Sequence, residues 1–469
     1  MRKVKVAILG AGTAGLTALG VVRKHTDDFV IVNDGPYGTT CARVGCMPSK
    51  ALIHVANDYH RRATFDAVGI RGGEGLRMDV AAALAWVRSY RDARVAPNLR
   101  PTDRAGERSI AGRATFEAPD VLRVVRTDGG EERVHAEAVI VATGSSPIVP
   151  AAWRSFGDRI LTTDTLFEQR DLPGRIAVVG LGAIGLEMGQ ALSRLGLEVT
   201  GFELRDVVAA LTDPELRAEA AKHFAEELTL HLGNAVEIHA AGDALRVVAG
   251  DHEAEVDGVL AALGRASNVA DLGLDRLGLP LDERGLPPFD PNTMQIGDLP
   301  IYIAGDVDAD RVVMHEASDE GFIAAWNAVH GPTRFRRRTP LAIAFTEPEI
   351  AMVGLPHAAL PDNAVSAAHD FSRQSRALAM RSAAGLLKVY AEPGSGRLLG
   401  AEMMTPHAEH LAHLLALAIE REMTVAEVLT MPVYHPVLEE GLRSALRSLA
   451  RKAYGEAPLE FRRLTTDAS

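Results

Sequence analysis

The sequence predicts an α/β chain built from two Rossmann-like dinucleotide-binding domains and a C-terminal α+β domain. Three observations carry that prediction. Gly10-Ala-Gly-Thr-Ala-Gly15 stands between an apolar run at 4–9 and a helical stretch at 16–24. Gly180-Leu-Gly-Ala-Ile-Gly185 stands between an apolar run at 175–179 and a second helix through Arg194. From Pro340 onward the pattern changes to alternating strands followed by helices with Leu at helical spacing.

A single G-x-G-x-x-G is a weak signal, but two copies in strand-turn-helix context are strong. Gly10 and Gly180 make the tight turn, Gly12 and Gly182 let the backbone approach pyrophosphate, and Gly15 and Gly185 let helix and strand pack closely. Ile184 belongs to the same nucleotide site, and the phosphates sit at the helix N-terminus, where unpaired N–H groups favour negative charge. In the second copy the following strand ends in Glu203, 18 residues after the third glycine. A carboxylate there accepts the adenosine ribose hydroxyls and repels a 2′-phosphate, so NAD(H) is expected over NADP(H). The same count in the first copy reaches Asn33, with Asp34 beside it. Asn33 can still bond a ribose hydroxyl. Asp34 either supplies the missing charge or merely opens the Asp-Gly-Pro turn.

The remaining elements follow in order. A buried strand at 138–144 ends in Thr143-Gly144, and 145–150 reads as a linker. A strand at 257–263 ends in Gly264-Arg265 and closes the inserted unit. The chain returns through a strand at 301–307, where Asp306 is placed to bond a ribityl hydroxyl, and a helix at 315–329 follows. Strands at 341–345, 385–390 and 397–403 and a helix near 410–419 form the last unit. The expected domains are therefore 1–148 with 267–338 (first dinucleotide-binding unit), 149–266 (second dinucleotide-binding unit) and 339–469 (C-terminal α+β unit).

Bulk properties narrow the function classes. At roughly 150 residues per domain, 469 residues make about three domains. A net charge of −12 argues against nucleic acid or an anionic membrane as partner, since both need clustered Lys and Arg. The N-terminal apolar run is too short for a secretory signal and opens directly into a glycine turn. No segment approaches the ~18 apolar residues of a membrane span, so the expected compartment is the cytoplasm.

The two cysteines of the chain, Cys41 and Cys46, lie together in Cys41-Ala-Arg-Val-Gly-Cys46-Met-Pro-Ser-Lys50. A lone close pair in a chain this long is not a structural staple, and in the cytoplasm a disulfide is more often catalytic than structural. The pair follows the first fingerprint, where a flavin would place its ring. The economical assignment is FAD in the N-terminal site and NAD(H) in the second, joined to a redox-active disulfide.

These residues resemble the pyridine nucleotide–disulfide oxidoreductase family, which includes dihydrolipoyl dehydrogenases. The resemblance runs through the first fingerprint, Cys41-x4-Cys46-x-Pro-Ser-Lys50, Ala142-Thr-Gly144, Gly180-x-Gly-x-Ile-Gly-x-Glu187, Ala304-Gly-Asp306 and His435-Pro436 with Glu440. It implies that Cys46 is the thiolate nearer the flavin and Cys41 the interchange thiol. Lys50 would reach the flavin and pair with Glu187, which by itself reads equally well as a surface helix carboxylate. Thr40, Ala114 and His315 would belong to the FAD site. His435, oriented by Glu440, would be the acid–base group and would come from the second subunit of a homodimer. The implied substrate is the dihydrolipoyl group of a carrier protein or a small disulfide. His25, His54 and His60 are read as solvated.

Departures bear on the substrate. Val433 stands where dihydrolipoyl dehydrogenases usually carry a second histidine, Val437 where a threonine follows His-Pro, and Ala42-Arg43 where Leu-Asn is usual. Arg43 either adds charge near the disulfide or points outward in a salt bridge. Glutathione reductase is disfavoured by Glu203, mercuric reductase because no cysteine follows Cys46, and soluble transhydrogenase because both thiols are retained. A reductase of another disulfide stays open. A catalytically silent flavin-binding subunit is the reading from another class, and the presence of every chemical group weighs against it.

Overall fold

In the computed structural model, which describes residues 1–455, the first strand Arg2–Leu9 sits inside an eight-stranded sheet. It pairs in parallel with Phe29–Asn33 on one side and Glu131–Val141 on the other. Both faces of this strand are covered, which is why Val6 to Leu9 is a continuous apolar run rather than an alternating one. One face lies under the helices Thr13–Val22 and Met314–His330, which cross so closely that a Cβ on Gly321 would stand 2.3 Å from the Ala14 carbonyl oxygen. On the other face Val4, Ala7 and Leu9 cluster with Ile110, Phe116, Leu122 and Val124 from the meander strands Ser109–Ala118 and Val121–Arg126. The chain returns to this sheet through Ile301–Ile303, parallel to Glu131–Val141.

The second sheet has five parallel strands, in spatial order Thr229–Leu232, Glu198–Glu203, Arg175–Val179, Gly258–Ala261 and Ile160–Leu161. Residues 145–150, expected as a plain linker, contain a short strand, Ser145–Pro147. It pairs antiparallel with Arg265–Ser267, because the outgoing and returning crossings lie side by side and satisfy each other's backbone groups.

The third sheet is antiparallel: Leu341–Ala344, Glu349–Gly354, Leu398–Thr405, Leu386–Ala391 and Val365–Asp370. The helices Ala408–Glu420 and Glu439–Tyr454 pack on it through Leu411, Leu415, Leu442, Leu446 and Leu449. The last residues of the expected third domain, 456–469, lie outside the described residues. Glu402, fully buried, accepts the Thr212 (2.9 Å) and Asp213 (3.1 Å) N–H groups, fastening the third domain to the second, and the His357 N–H (2.7 Å) within its own domain. Among the described residues, no helix is long and apolar enough to cross a membrane.

Candidate active site

The cysteine motif folds into two consecutive helices. Cys41 lies in the short helix Thr40–Arg43, whose N-cap Thr39 accepts the Ala42 N–H at 3.2 Å, and Thr40 opens that helix. Cys46 is the first residue of the helix Cys46–His60, so its sulfur stands at the positive end of a 15-residue helix. Both cysteines are free, half-buried thiols. The Cys41 side chain hydrogen-bonds Cys46, and with the Lys50 charge and nearby backbone N–H this brings the Cys46 pKa down to about 7 against the cost of burial. The same bond, with burial, pushes the Cys41 thiol upward. The two shifts run in opposite directions, so the pair favours its thiolate on Cys46 over Cys41.

Lys50, one turn further along, places Nζ 2.7 Å from Glu187 Oε2. Glu187 is 5% exposed, so it is an inter-domain carboxylate and not a surface one. Its other oxygen accepts the Phe345 N–H at 2.8 Å, and Lys50 Nζ lies 4.7 Å from the Phe345 ring centroid. The helix Cys46–His60, the helix Ala183–Arg194 and the end of the strand Leu341–Ala344 therefore meet at Lys50 and Glu187. Because the Lys50 charge favours the Cys46 thiolate, Lys50→Met is expected to raise the Cys46 pKa from about 7 toward the ordinary thiol range. The rate of alkylation against pH reads this directly, and an unshifted profile would exclude the electrostatic role.

The two nucleotide cradles share one construction. Asn33 Oδ1 accepts the Ala11 N–H at 2.9 Å, and Glu203 Oε2 accepts the Leu181 N–H at 2.7 Å, so each residue pins its own glycine turn. Asn33 Nδ2 also donates to the Gly35 carbonyl, and Glu203 Oε1 accepts the Arg205 N–H. Gly10 and Gly180 abut backbone: a Cβ would lie 2.2 Å from the Ala142 oxygen and 2.4 Å from the Ala262 oxygen. At Gly12 and Gly182 a Cβ would meet nothing within 4 Å, so the N-terminal faces of both following helices are open. Two such cradles fit two dinucleotides.

Beside the first cradle is a cavity of about 350 Å³ lined by Gly10, Asn33, Asp34, Arg113, Ala114 and Thr143, among others. Asp34 lines this cavity and also precedes the Gly35-Pro36 turn. It bonds Arg113 at 2.7 Å, and Arg113 also reaches Asp271 at 3.3 Å. Arg113 and Asn268, which exchanges hydrogen bonds with Thr143, had no local signal in the sequence, because the contacts span 79 and 125 residues. Asp306 accepts from Ser145 Oγ at 2.8 Å. Gly144 and Gly264 take left-handed φ values at the two crossings between the sheets. Gly15 and Gly185 pack beneath their turns, whereas Ile184 and His315 are exposed.

Arg43 departs from the outward, salt-bridged expectation: it is half-buried against Gly38 and makes no ion pair among the described residues. His60 is half-buried too, with burial and the Arg194 charge pushing its pKa down, while His25 and His54 are exposed.

His435 and Glu440 come together on the third domain. His435 Nδ1 lies 3.0 Å from Glu440 Oε1, and the Val437 N–H donates to Glu440 Oε2 at 3.2 Å. The His435 contact holds the Glu440 carboxyl below the usual carboxylate range. No hydrogen bond, ion pair or ring contact joins His435 to Cys41 or Cys46 among the described residues. The His435 side chain is 75% exposed.

Residues 4–321 match the family model described as pyridine nucleotide-disulphide oxidoreductase, and residues 341–446 match its dimerisation domain. The chain is 32% identical over 465 residues to a dihydrolipoyl dehydrogenase of Halobacterium salinarum, covering 96% of each. It is also 32% identical over 452 residues to a mercuric reductase of Streptomyces lividans, covering 92% of this chain and 93% of that one. The crystal structure of LpdA from Mycobacterium tuberculosis superposes with a TM-score of 0.83 at 26% identity, covering 96% of this chain and all of that one.

Proposed function

Because the chain belongs to the pyridine nucleotide-disulphide oxidoreductase family, we propose that it oxidises dihydrolipoyl groups on a carrier protein with NAD+, as a homodimer in the cytoplasm. Its cofactors are FAD and NAD(H), read here onto the first and second cradles respectively. Bound FAD supplies two-electron chemistry between the dithiol and nicotinamide. The observation that carries the reading is a thiol pair at a helix N-terminus with one member ionising near neutrality.

The protein's side chains divide the work as follows. A substrate thiolate attacks the Cys41 sulfur of the oxidised pair. The Cys41–Cys46 bond breaks, and its electron pair leaves on Cys46, whose low pKa makes it the better leaving group. The second substrate thiol attacks the substrate sulfur of the mixed disulfide and releases Cys41. The substrate is then a disulfide and the two cysteines hold its two electrons. His435 takes the substrate thiol proton, with Glu440 fixing its tautomer through Nδ1. Lys50 and Glu187 hold the helix Cys46–His60 against the second domain and keep charge balanced behind the reacting sulfur. An exposed His435 and a matching dimerisation domain support delivery of the acid–base pair to the dithiol of a second copy.

A second reading is NADH-dependent reduction of another small or carrier-bound disulfide. Val433, Val437 and the half-buried Arg43 favour it, as does the similarity to a mercuric reductase. Steady-state kinetics with dihydrolipoamide and NAD+, set against a panel of disulfides with NADH, separate the two. The expected result is a kcat/KM for dihydrolipoamide above every panel member. A disulfide preferred by roughly tenfold, a difference of about 1.4 kcal/mol in transition-state stabilisation, would reassign the substrate.

A further inference from the structure

The strand Leu398–Thr405 runs into Pro406 and His407, and the helix Ala408–Glu420 starts at the next residue. His407 takes a left-handed conformation (φ 48°), and its ring lies parallel to that of His410, with centroids 5.9 Å apart. The ligand atoms of His407, Glu409 and His410 all lie within 4.8 Å of one another. We propose that these three residues form a binding site for a divalent transition-metal ion of the Zn2+ class. Two imidazole nitrogens and one carboxylate oxygen suit Zn2+ and its neighbours, whereas Ca2+ and Mg2+ call for all-oxygen sets.

The electrostatics of this corner support a cation. Among the described residues no Lys or Arg pairs with Glu409, whose ion-pair contact is His410 Nε2 at 3.7 Å. The Glu409 N–H is held by Glu349 Oε2 at 2.9 Å. Glu349 and Glu409 thus both stand at this corner, and Arg376 lines the cavity onto which His407 and His410 open. Among the described residues no hydrogen bond occupies the His407 ring nitrogens.

The position gives the ion a consequence. His407 and His410 line a cavity of about 240 Å³ together with Arg376 and with Val437, Leu438 and Glu439, the segment between His435 and Glu440. An ion held there sits beside the backbone that carries the acid–base pair, with Glu439 on the same cavity as a further carboxylate.

The test uses air-oxidised holoenzyme, in which Cys41 and Cys46 offer no thiolate to the metal. Zn2+ titrated by calorimetry, with elemental analysis after dialysis, is expected to bind at one ion per chain. His407→Ala with His410→Ala is expected to weaken that binding by roughly tenfold or more. Both side chains are exposed, and unchanged flavin absorbance and melting temperature confirm that the variant is folded. Glu409→Gln keeps both imidazoles and is expected to weaken binding several-fold. Absence of binding to the unmodified enzyme at micromolar Zn2+, equal affinity in the double variant, or an unchanged affinity in Glu409→Gln would each overturn the site.

Discussion

Replacing Cys46 by serine is expected to cut turnover with any dithiol or disulfide substrate by about a thousandfold or more, because the nucleophile and leaving group act as a unit. The physical reason lies in the asymmetry of the pair. Cys46 opens the helix Cys46–His60, accepts the Cys41 hydrogen bond and lies near Lys50, and each of these favours its charged form. A serine hydroxyl at that place remains protonated at any working pH, so the bond that must break in each cycle cannot form. The sign of the pH dependence follows from the same shift. In the reduced enzyme the Cys46 thiolate persists above pH 7 and is lost as pH falls through about 7, so iodoacetamide should alkylate it with a half-maximal rate near that pH. Oxidation of NADH by an artificial one-electron acceptor needs no thiol and should survive the substitution. Loss of both activities would mean that the variant had lost its fold or cofactor. Retained dithiol turnover would remove the pair from the reaction.

His435→Ala is expected to lower kcat/KM for the dithiol by about 10²- to 10⁴-fold, the usual contribution of a positioned general base. Glu440→Gln should cost less, since the amide can still bond the ring but no longer stabilises its protonated form. The location of His435 makes a sharper experiment possible. Its side chain is 75% exposed on its own chain. If it serves the dithiol of a second copy, chains carrying Cys46→Ser and chains carrying His435→Ala can complement. Each mixed dimer then holds one site with both groups intact, and random reassembly should restore about a quarter of full activity from two nearly inactive parents. No recovery on mixing would place the acid–base step within one chain.

The parts of this site that were readable in advance are those fixed by short-range spacing. Glycines at 10, 12 and 15, and at 180, 182 and 185, encode a turn whose geometry is local, and each stands where its strand and helix meet. The cysteine spacing was informative for the same reason, since five residues carry the chain from one short helix into the start of the next. His435 and Glu440 stand five residues apart and meet within one loop and helix start. The alternation beyond Pro340 gave three of the five antiparallel strands, with ends moved by one or two residues, but missed Glu349–Gly354 and Val365–Asp370.

Other contacts had no such signature. Glu187 on its helix reads equally well as solvent-facing, and only the approach of the helix Cys46–His60 and of Phe345 makes it a buried partner of Lys50. Arg113 meets Asp34 because the strand Ser109–Ala118 runs alongside Phe29–Asn33, a register that no local pattern specifies. Glu402 alternates along its strand like any polar residue, yet it is fully buried under backbone N–H groups of another domain. The sequence by itself determined the two glycine turns with their flanking strands and helices and the pairing of Cys41 with Cys46 and of His435 with Glu440, because turns, periodicities and close residue pairs are short-range properties of the chain. The tertiary structure alone decided which charges are buried, which thiol ionises and which domains touch, because those depend on desolvation and on contacts between residues far apart in sequence.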